Sequence, residues 1–390
     1  MSKLEKTISI LKDLIQFDTT SCNSNLPIMD YIKDYLKDFG IESTFIKNEE
    51  GHKANLLATI GPMDKAGIVL SGHTDVVPVE LDGWITPPFE LSKRDNRLYG
   101  RGTCDMKGFI AAVLASVPDF IDKPLGIPIH LCFSYDEEIG CVGVHSLIDH
   151  LETLSIKPRL AIIGEPSNME LINGHKGKIA VRCCVKGSAG HSSYAPKHVN
   201  AIEYAARGIV HIADVAKTFE TNGPFDLDYT VPHSTMLTTL IKGGRATNIT
   251  PDFCQFDFEI RHLPNHSSDQ VLNKIKHYID ENLVPEMKAI SPESGFSWQT
   301  KFSYPGMSDA TKTAAYESLK KVLPKSAGKV SYGTEGGLFY SKGNIPSVIC
   351  GPGSINQAHK RNEFIEIDQL TQCLDFLSKL TIGISKNNFI

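Results

Sequence analysis

The sequence predicts an α/β protein: a mostly parallel mixed sheet flanked by helices, with a smaller α+β domain inserted into it. Three observations predict this. Four apolar, β-branched runs end abruptly in acids or histidine: AGIVLSGHTD (66–75), IPIHLCFSYDEE (127–138), RLAIIGEP (159–166) and IPSVICGPGSINQAH (345–359). Helical stretches at 105–121 and 142–154 separate the first three runs, and strand–helix alternation of this kind builds parallel sheets covered by helices. The middle of the chain follows a different order, strand-helix-strand-strand-helix-strand, which is the ferredoxin-like β-α-β-β-α-β pattern.

The elements follow in order. MSKLEKTISILKDLIQFDTT spaces Ile8, Leu11, Leu14 and Ile15 along one helical face and carries charges throughout, so it reads as an amphipathic helix and not as a signal peptide or membrane span. The runs at 66–75, 127–138 and 159–166 are expected as buried strands that deliver polar groups at their carboxyl ends. Segments 177–190, 234–244, 254–263 and 296–302 read as strands and 198–219 and 267–283 as helices. A helix at 308–323, the strand run at 345–359 and a helix from Ile367 close the chain. The expected organisation is a discontinuous first domain, 1–177 with 304–390, and a smaller domain inserted at 178–303.

At 390 residues the chain exceeds the size at which single cores stop growing, so two domains are the default. Its 41% hydrophobic and 22% charged fractions suit a globular protein. A net charge of −5 gives no basic footprint for nucleic acid or an anionic membrane, which leaves a small solute as the expected partner. Nine cysteines without a C-x-x-C pair read as reduced, mostly buried thiols of a cytosolic protein.

The chemistry gathers where strands end. In SGHTDVVPV, His73 and Asp75 fall on the same side of a strand that Pro78 stops. That pattern fits a metal ligand with its orienting partner, or a turn. Asp105 opens a helix, where it serves equally as an N-cap, and Glu165 and His359 pass individually for loop residues. Glu137 and Glu138 close the second run; both reach one site only if the chain leaves the sheet there, as Gly140 permits. A solvated acidic turn is the plain alternative. Together, His73, Asp105, Glu138, Glu165 and His359 are two histidines and three carboxylates. They are too many for one tetrahedral zinc but suit two ions sharing a carboxylate. Imidazole and carboxylate without thiolate favour zinc or cobalt. No G-x-x-x-x-G-K phosphate loop occurs.

SGHTDVVPV, LYGRGTCDMKGF, SYDEEIGCVG, GEPS, GSAGHSS, ATNITPD and GPGSINQAH occur in this order. The chain thereby resembles the co-catalytic zinc metallopeptidase family of aminoacylases, carboxypeptidases and N-acyl-amino-acid deacylases. The resemblance implies two Zn²⁺ per subunit, replaceable by Co²⁺, with His73 and Glu165 on one ion, Glu138 and His359 on the other, and Asp105 bridging. It implies Asp75 as the brace of His73, Glu137 as general base and acid, and His191 as an oxyanion donor that acts on the partner subunit's site in enzymes of this kind. Asn248 and Arg261 would hold the substrate carboxylate, with a structural salt bridge the plain alternative for Arg261. Gly336 stands where relatives carry alanine, which bears on the pocket floor. The resemblance further implies a lid and dimerisation role for the inserted domain, 178–303, beside a catalytic, metal-binding first domain. The implied reaction is hydrolysis of a small N-acyl amino acid by a cytoplasmic homodimer joined through the inserted domain.

Overall fold

The computed structural model describes residues 1–386 other than residue 324; residues 387–390 of the expected catalytic segment lie outside the described residues. The chain divides into two compact units, the first comprising Met1–His175, Met307–Lys329 and Thr334–Ile390, the second Lys176–Gly306 with Val330–Gly333.

The first unit opens with α1 (Lys3–Gln16), α2 (Leu26–Lys37), β1 (Ser43–Lys47), β2 (Ala54–Ile60), β3 (Ile68–His73), β4 (Ser92–Arg94) and β5 (Arg97–Tyr99). It continues through α3 (Lys107–Asp122), β6 (Ile129–Ser134), α4 (Val144–Glu152), β7 (Leu160–Pro166) and β8 (Leu171–His175). The second unit is built from β9 (Gly177–Lys186), α5 (Ala201–Asn222), β10 (Thr235–Gly243), β11 (Phe253–His262), α6 (Ser268–Asn282), α7 (Val284–Ile290) and β12 (Gly295–Tyr304). Then follow α8 (Ala314–Val322), β13 (Ser326–Val330), α9 (Gly336–Ser341), β14 (Ser347–Gly351), β15 (Phe364–Glu366) and α10 (Ile367–Ser385).

An eight-stranded sheet runs β1-β2-β6-β3-β7-β14-β8-β13. Its middle, β6-β3-β7-β14, is parallel, and β1, β2 and β8 pair antiparallel beside it. These four parallel neighbours are the four apolar runs that end in acids or histidine. Parallel pairing sends their carboxyl ends to the same edge of the sheet, so polar residues spread over some 290 positions of sequence meet there.

The helices are explained by their ends and faces. α1 starts at a capping box, with Ser2 Oγ accepting the Glu5 N–H and the Glu5 carboxylate accepting the Ser2 N–H. It buries Ile10, Leu11, Leu14 and Ile15. α3 is buried on nearly every side, Lys107 included. The Lys107 ammonium donates to the carbonyls of Leu14 and Phe17 at 3.2 and 2.9 Å, capping the end of α1 where the helix dipole favours a cation. Pro118 inside α3 has no N–H to give Leu114, and the Tyr35 hydroxyl donates to that orphaned carbonyl at 3.1 Å. Close seating of α3 on β7 needs Gly164, where a Cβ would stand 2.1 Å from the Phe109 ring.

β6 carries His130, 2% exposed, with Nδ1 2.9 Å from the Thr59 hydroxyl. Burial pushes its imidazole down to about 4 from 6.5. Between those values the unfolded chain binds the proton and the folded chain does not, so this site destabilises the fold as pH drops from 6.5 towards 4. The loss is on the order of 3 kcal/mol at its full extent. Urea unfolding of the wild type and of His130→Asn at pH 7 and pH 4.5 should show the steeper acid loss in the wild type; equal losses would contradict the assignment.

In the second unit the sheet order is β10-β11-β9-β12, antiparallel throughout. Residues of β9 alternate in burial: Ile179, Val181, Cys183 and Val185 join Phe256, Phe258, Ile275 and Ile279 in one core, and the residues between them face away. α5 begins at Asn200, whose side chain accepts the N–H groups of Ile202 and Glu203. All nine cysteines are free thiols and seven are buried. Among the described residues no helix is long and apolar enough to cross a membrane.

Candidate metal centre

β3 ends on His73, whose side chain is 1% exposed. Its Nε2 lies 3.0 Å from Asp105 Oδ1 and 3.6 Å from Glu165 Oε1, at the end of β7. The other Asp105 oxygen, Oδ2, lies 3.3 Å from His359 Nε2, and His359 Nε2 is 2.9 Å from Glu138 Oε2. One carboxylate therefore stands between two histidines, and each histidine has a second carboxylate of its own. His359 adopts a left-handed φ of 60°, a conformation that costs a non-glycine residue of order 1 kcal/mol and recurs at functional sites.

The turn after β6 shows how adjacent glutamates share a site. The chain leaves the strand through positive φ values at Asp136 (55°), Gly140 (112°) and Cys141 (57°). Asp136 is tied down by Lys53, whose ammonium also donates to the Ser21 carbonyl. Asp75 then organises the turn: Oδ1 accepts the Glu137 N–H at 3.1 Å, and Oδ2 accepts the Glu138 N–H at 3.2 Å and the Ser21 hydroxyl at 2.7 Å. The nearest partner of His73 Nδ1 is the main-chain oxygen of Asp75 at 2.9 Å, with its carboxylate at 3.5 Å. Asp75 so braces the histidine and the two-glutamate turn at once. Ser21 carries no local sequence signal for this. Glu335 carries little more: it is 1% exposed at the head of α9 and accepts the hydroxyls of Ser71 on β3, the strand of His73, and of Ser134 on its neighbour β6. Its one sequence signal is an acid set in the glycine stretch GTEGGLF.

The electrostatics follow from burial of many acids together. Burial pushes the Glu165 and Glu137 carboxyls well up, with further repulsion from Asp105 on Glu165 and from Glu138 and Glu335 on Glu137. Burial and Asp105 push Glu138 up to about 7. Burial would raise Asp105 as well, but hydrogen bonds with His359 and His73 outweigh it and hold the carboxyl low. Asp105 and Glu138 raise His359 to about 10. Burial opposes a charge on His73, yet its bonds to Asp105 and Asp75 win and hold it well up. The pocket thus holds more carboxyl groups than its two imidazoles could offset were all ionised, and without a cation it keeps protons on several of them, which a divalent ion would displace.

Two overlapping donor groups that share His73 could hold an ion: His73, Glu137 and Glu165, or His73, Asp105 and Glu138, with the ligand atoms of each group within 4.8 Å of one another. Ligands about 2.0–2.1 Å from a tetrahedral zinc stand roughly 3.3 Å apart. The separations of 3.0, 3.6, 3.3 and 2.9 Å around His73 and His359 straddle that value. The donor set fits two divalent cations.

His191, Asn248 and Arg261 belong to the second unit. There the structure brings His191 and Asn248 together: His191 bridges to Ile249, and the Ser192 N–H donates to the Asn248 carbonyl at 3.0 Å. His191 Nδ1 accepts the Ser193 N–H at 3.2 Å, which leaves the proton of the neutral ring on Nε2 as a donor. Arg261 pairs with Glu259 at 2.8 Å and donates to the Ser331 carbonyl at 3.3 Å. Gly336, in the first unit, heads α9; a Cβ there would meet the flexible Met307 side chain at 2.7 Å.

Residues 69–382 match the sequence pattern of peptidase family M20/M25/M40, and the chain belongs to that family. It is 32% identical over 387 residues, 97% of both chains, to an acetylornithine deacetylase of Photorhabdus laumondii, and 31% identical over 380 residues, 94% of both chains, to an acetylornithine deacetylase of Shigella sonnei. Among solved structures, an M20 family metallo-carboxypeptidase from Sulfolobus solfataricus superposes with a TM-score of 0.76 at 20% identity, covering 97% of this chain and 99% of that one. A dinuclear metal binding peptidase of the M20 family from Bacillus subtilis gives 0.64 at 13% identity, over 100% and 99%. The chain is accordingly a hydrolase of this family, and its fold is theirs.

Proposed function

We propose that the chain removes the acetyl group of N2-acetyl-L-ornithine, giving ornithine and acetate, a cytoplasmic step of arginine biosynthesis. The observation that carries the hydrolytic part is the Asp105 carboxylate facing His73 with one oxygen and His359 with the other. The substrate rests on full-length similarity to two acetylornithine deacetylases.

His73 and Glu165 would hold one zinc, Glu138 and His359 the other, and Asp105 both. Bound there, the ions supply Lewis-acid polarisation of the acyl oxygen and a water acidic near neutral pH. The rest is the chain's own work. Glu137 takes the proton of the attacking water and returns it to the leaving amine. Its place is held from behind, by its N–H on Asp75 and by the Cys141 thiol, which donates to Oε1 at 3.4 Å. Burial keeps the carboxyl's proton affinity high, as a group that must accept and then deliver a proton requires. His191 would stabilise the oxyanion through Nε2–H, and Asn248 and Arg261 would hold the substrate carboxylate. The edge strand β10 exposes Leu237, Leu240 and Ile241, which suits pairing with the same strand of a second copy; a monomeric mass in solution would remove the dimer from the account.

The substrate is tested by kcat/KM on a panel: N2-acetyl-L-ornithine, N-succinyl-diaminopimelate, other N-acetyl amino acids and dipeptides. Acetylornithine should lead by at least ~10-fold. A lead for the succinyl substrate or a dipeptide would replace the substrate and keep the hydrolase.

A further inference from the structure

Glu363 lies four residues beyond His359, at the entry to β15, and is 1% exposed. A carboxylate is costly to bury unless its oxygens are satisfied. Here one oxygen accepts the Arg101 guanidinium at 2.8 Å and the Gly102 N–H at 2.9 Å, and the other accepts the N–H groups of Cys104 at 2.8 Å and Asp105 at 3.1 Å. Its main-chain oxygen accepts the Gly100 N–H at 3.0 Å. Residues 100–105, which belong to no strand or helix between β5 and α3, are thus wrapped around a single side chain. Arg101 closes the arrangement by donating to the carbonyl of Lys360, the residue after His359, at 3.2 Å.

The consequence concerns distance control. Asp105 and His359 arrive on two loops far apart in sequence, and a shared ion tolerates errors of only tenths of an ångström between their ligand atoms. Glu363 is covalently part of the loop that carries His359, and it grips the Asp105 main chain directly. We propose that Glu363 is a positioning residue of the metal centre: it sets the Asp105 carboxylate at the spacing from His359 that lets one carboxylate serve two ions. It touches no reacting atom and works through the main chain of 102–105. This rests on the two-ion reading given above.

A purely structural ion pair would lower stability on removal and leave the metal affinity of folded molecules untouched. In Glu363→Gln the amide NH₂ must face either Arg101 and Gly102 or Cys104 and Asp105, donor against donor, so the loop shifts. Glu363→Asp keeps the charge but is one methylene too short to reach both pairs. The test uses the full-length, metal-free protein titrated with Co²⁺, followed by calorimetry and visible absorption, with Ile384→Ala in the last turns of α10 as a control for lost stability. The wild type should bind two Co²⁺ per chain. At least one of the two should bind ~10–100-fold more weakly in Glu363→Gln, with a changed spectrum, and by a smaller factor in Glu363→Asp. Ile384→Ala should bind as the wild type despite a lower melting temperature. Wild-type affinity and spectrum in either folded Glu363 variant would overturn the positioning role while leaving the two-ion reading intact. A wild type that binds no Co²⁺ would overturn both.

Discussion

Glu137→Gln is expected to lower kcat by at least ~10²-fold, within the 10²–10⁴ range of general acid–base groups, while the metal content stays at the wild-type value. Glutamine preserves the shape of the side chain, and the turn is held by main-chain bonds from Glu137 and Glu138 to Asp75, which the substitution leaves in place. Lost with the carboxylate is the capacity to accept a proton. KM should change little, because the substitution removes an interaction made in the transition state. Two results would count against the assignment. A rate within a few fold of wild type removes the proton-transfer role. A fall in metal content would make Glu137 a ligand, a part its grouping with His73 and Glu165 permits.

Removal of metal by a chelator is expected to abolish activity reversibly and to lower stability in a pH-dependent way. A ligand that binds only the folded state contributes about 4 kcal/mol at a thousand times its dissociation constant. The sign with pH follows from the directions of the shifts. Glu138, raised from 4.5 to about 7 in the metal-free fold, keeps a proton that the unfolded chain has released, so its contribution to stability is lost as pH rises from 4.5 through about 7. His359, raised from 6.5 to about 10, acts in the same sense at higher pH: its contribution is complete below 6.5 and gone above about 10. Asp75 and Asp105 are held below their usual values, so their contributions are already complete above about 3.8 and add no slope at neutral pH. The metal-free protein should therefore melt at lower temperature at pH 8 than at pH 6, and zinc should restore more at pH 8. It should also release protons on binding near pH 7. A melting temperature for the metal-free protein that climbs from pH 6 to pH 8 would contradict this balance of charge.

The sheet's centre was legible because burial on both faces writes itself as apolar, β-branched runs, and each of the four runs stopped at a chemical group. The inserted unit was legible because its strand–helix order and its alternating β9 pattern are local. Less was legible at the margins. Segment 26–37 forms α2, and β1, β2 and the short strands β4, β5 and β15 emerge from stretches with weak periodicity, where pairing to a neighbour decides the structure. The α3 start differed too: Asp105 caps no helix, since the helix begins at Lys107 after Met106 and the Asp105 side chain is committed to the histidines. The candidate ligands could be named from sequence because strand ends and motif order mark them. Their supports, Ser21, Glu335 and Glu363, could not, since each acts on residues 54 to 264 positions away through bonds only the fold creates.

The central claim is that Asp105 joins two metal ions in one site. Diffraction from zinc-loaded crystals, with anomalous maps on both sides of the zinc absorption edge, tests it most directly. The account predicts two zinc peaks, one beside His73 and Glu165 and one beside Glu138 and His359, with one Asp105 oxygen on each. A single peak under full loading, or two peaks with Asp105 outside bonding distance of either, would contradict it.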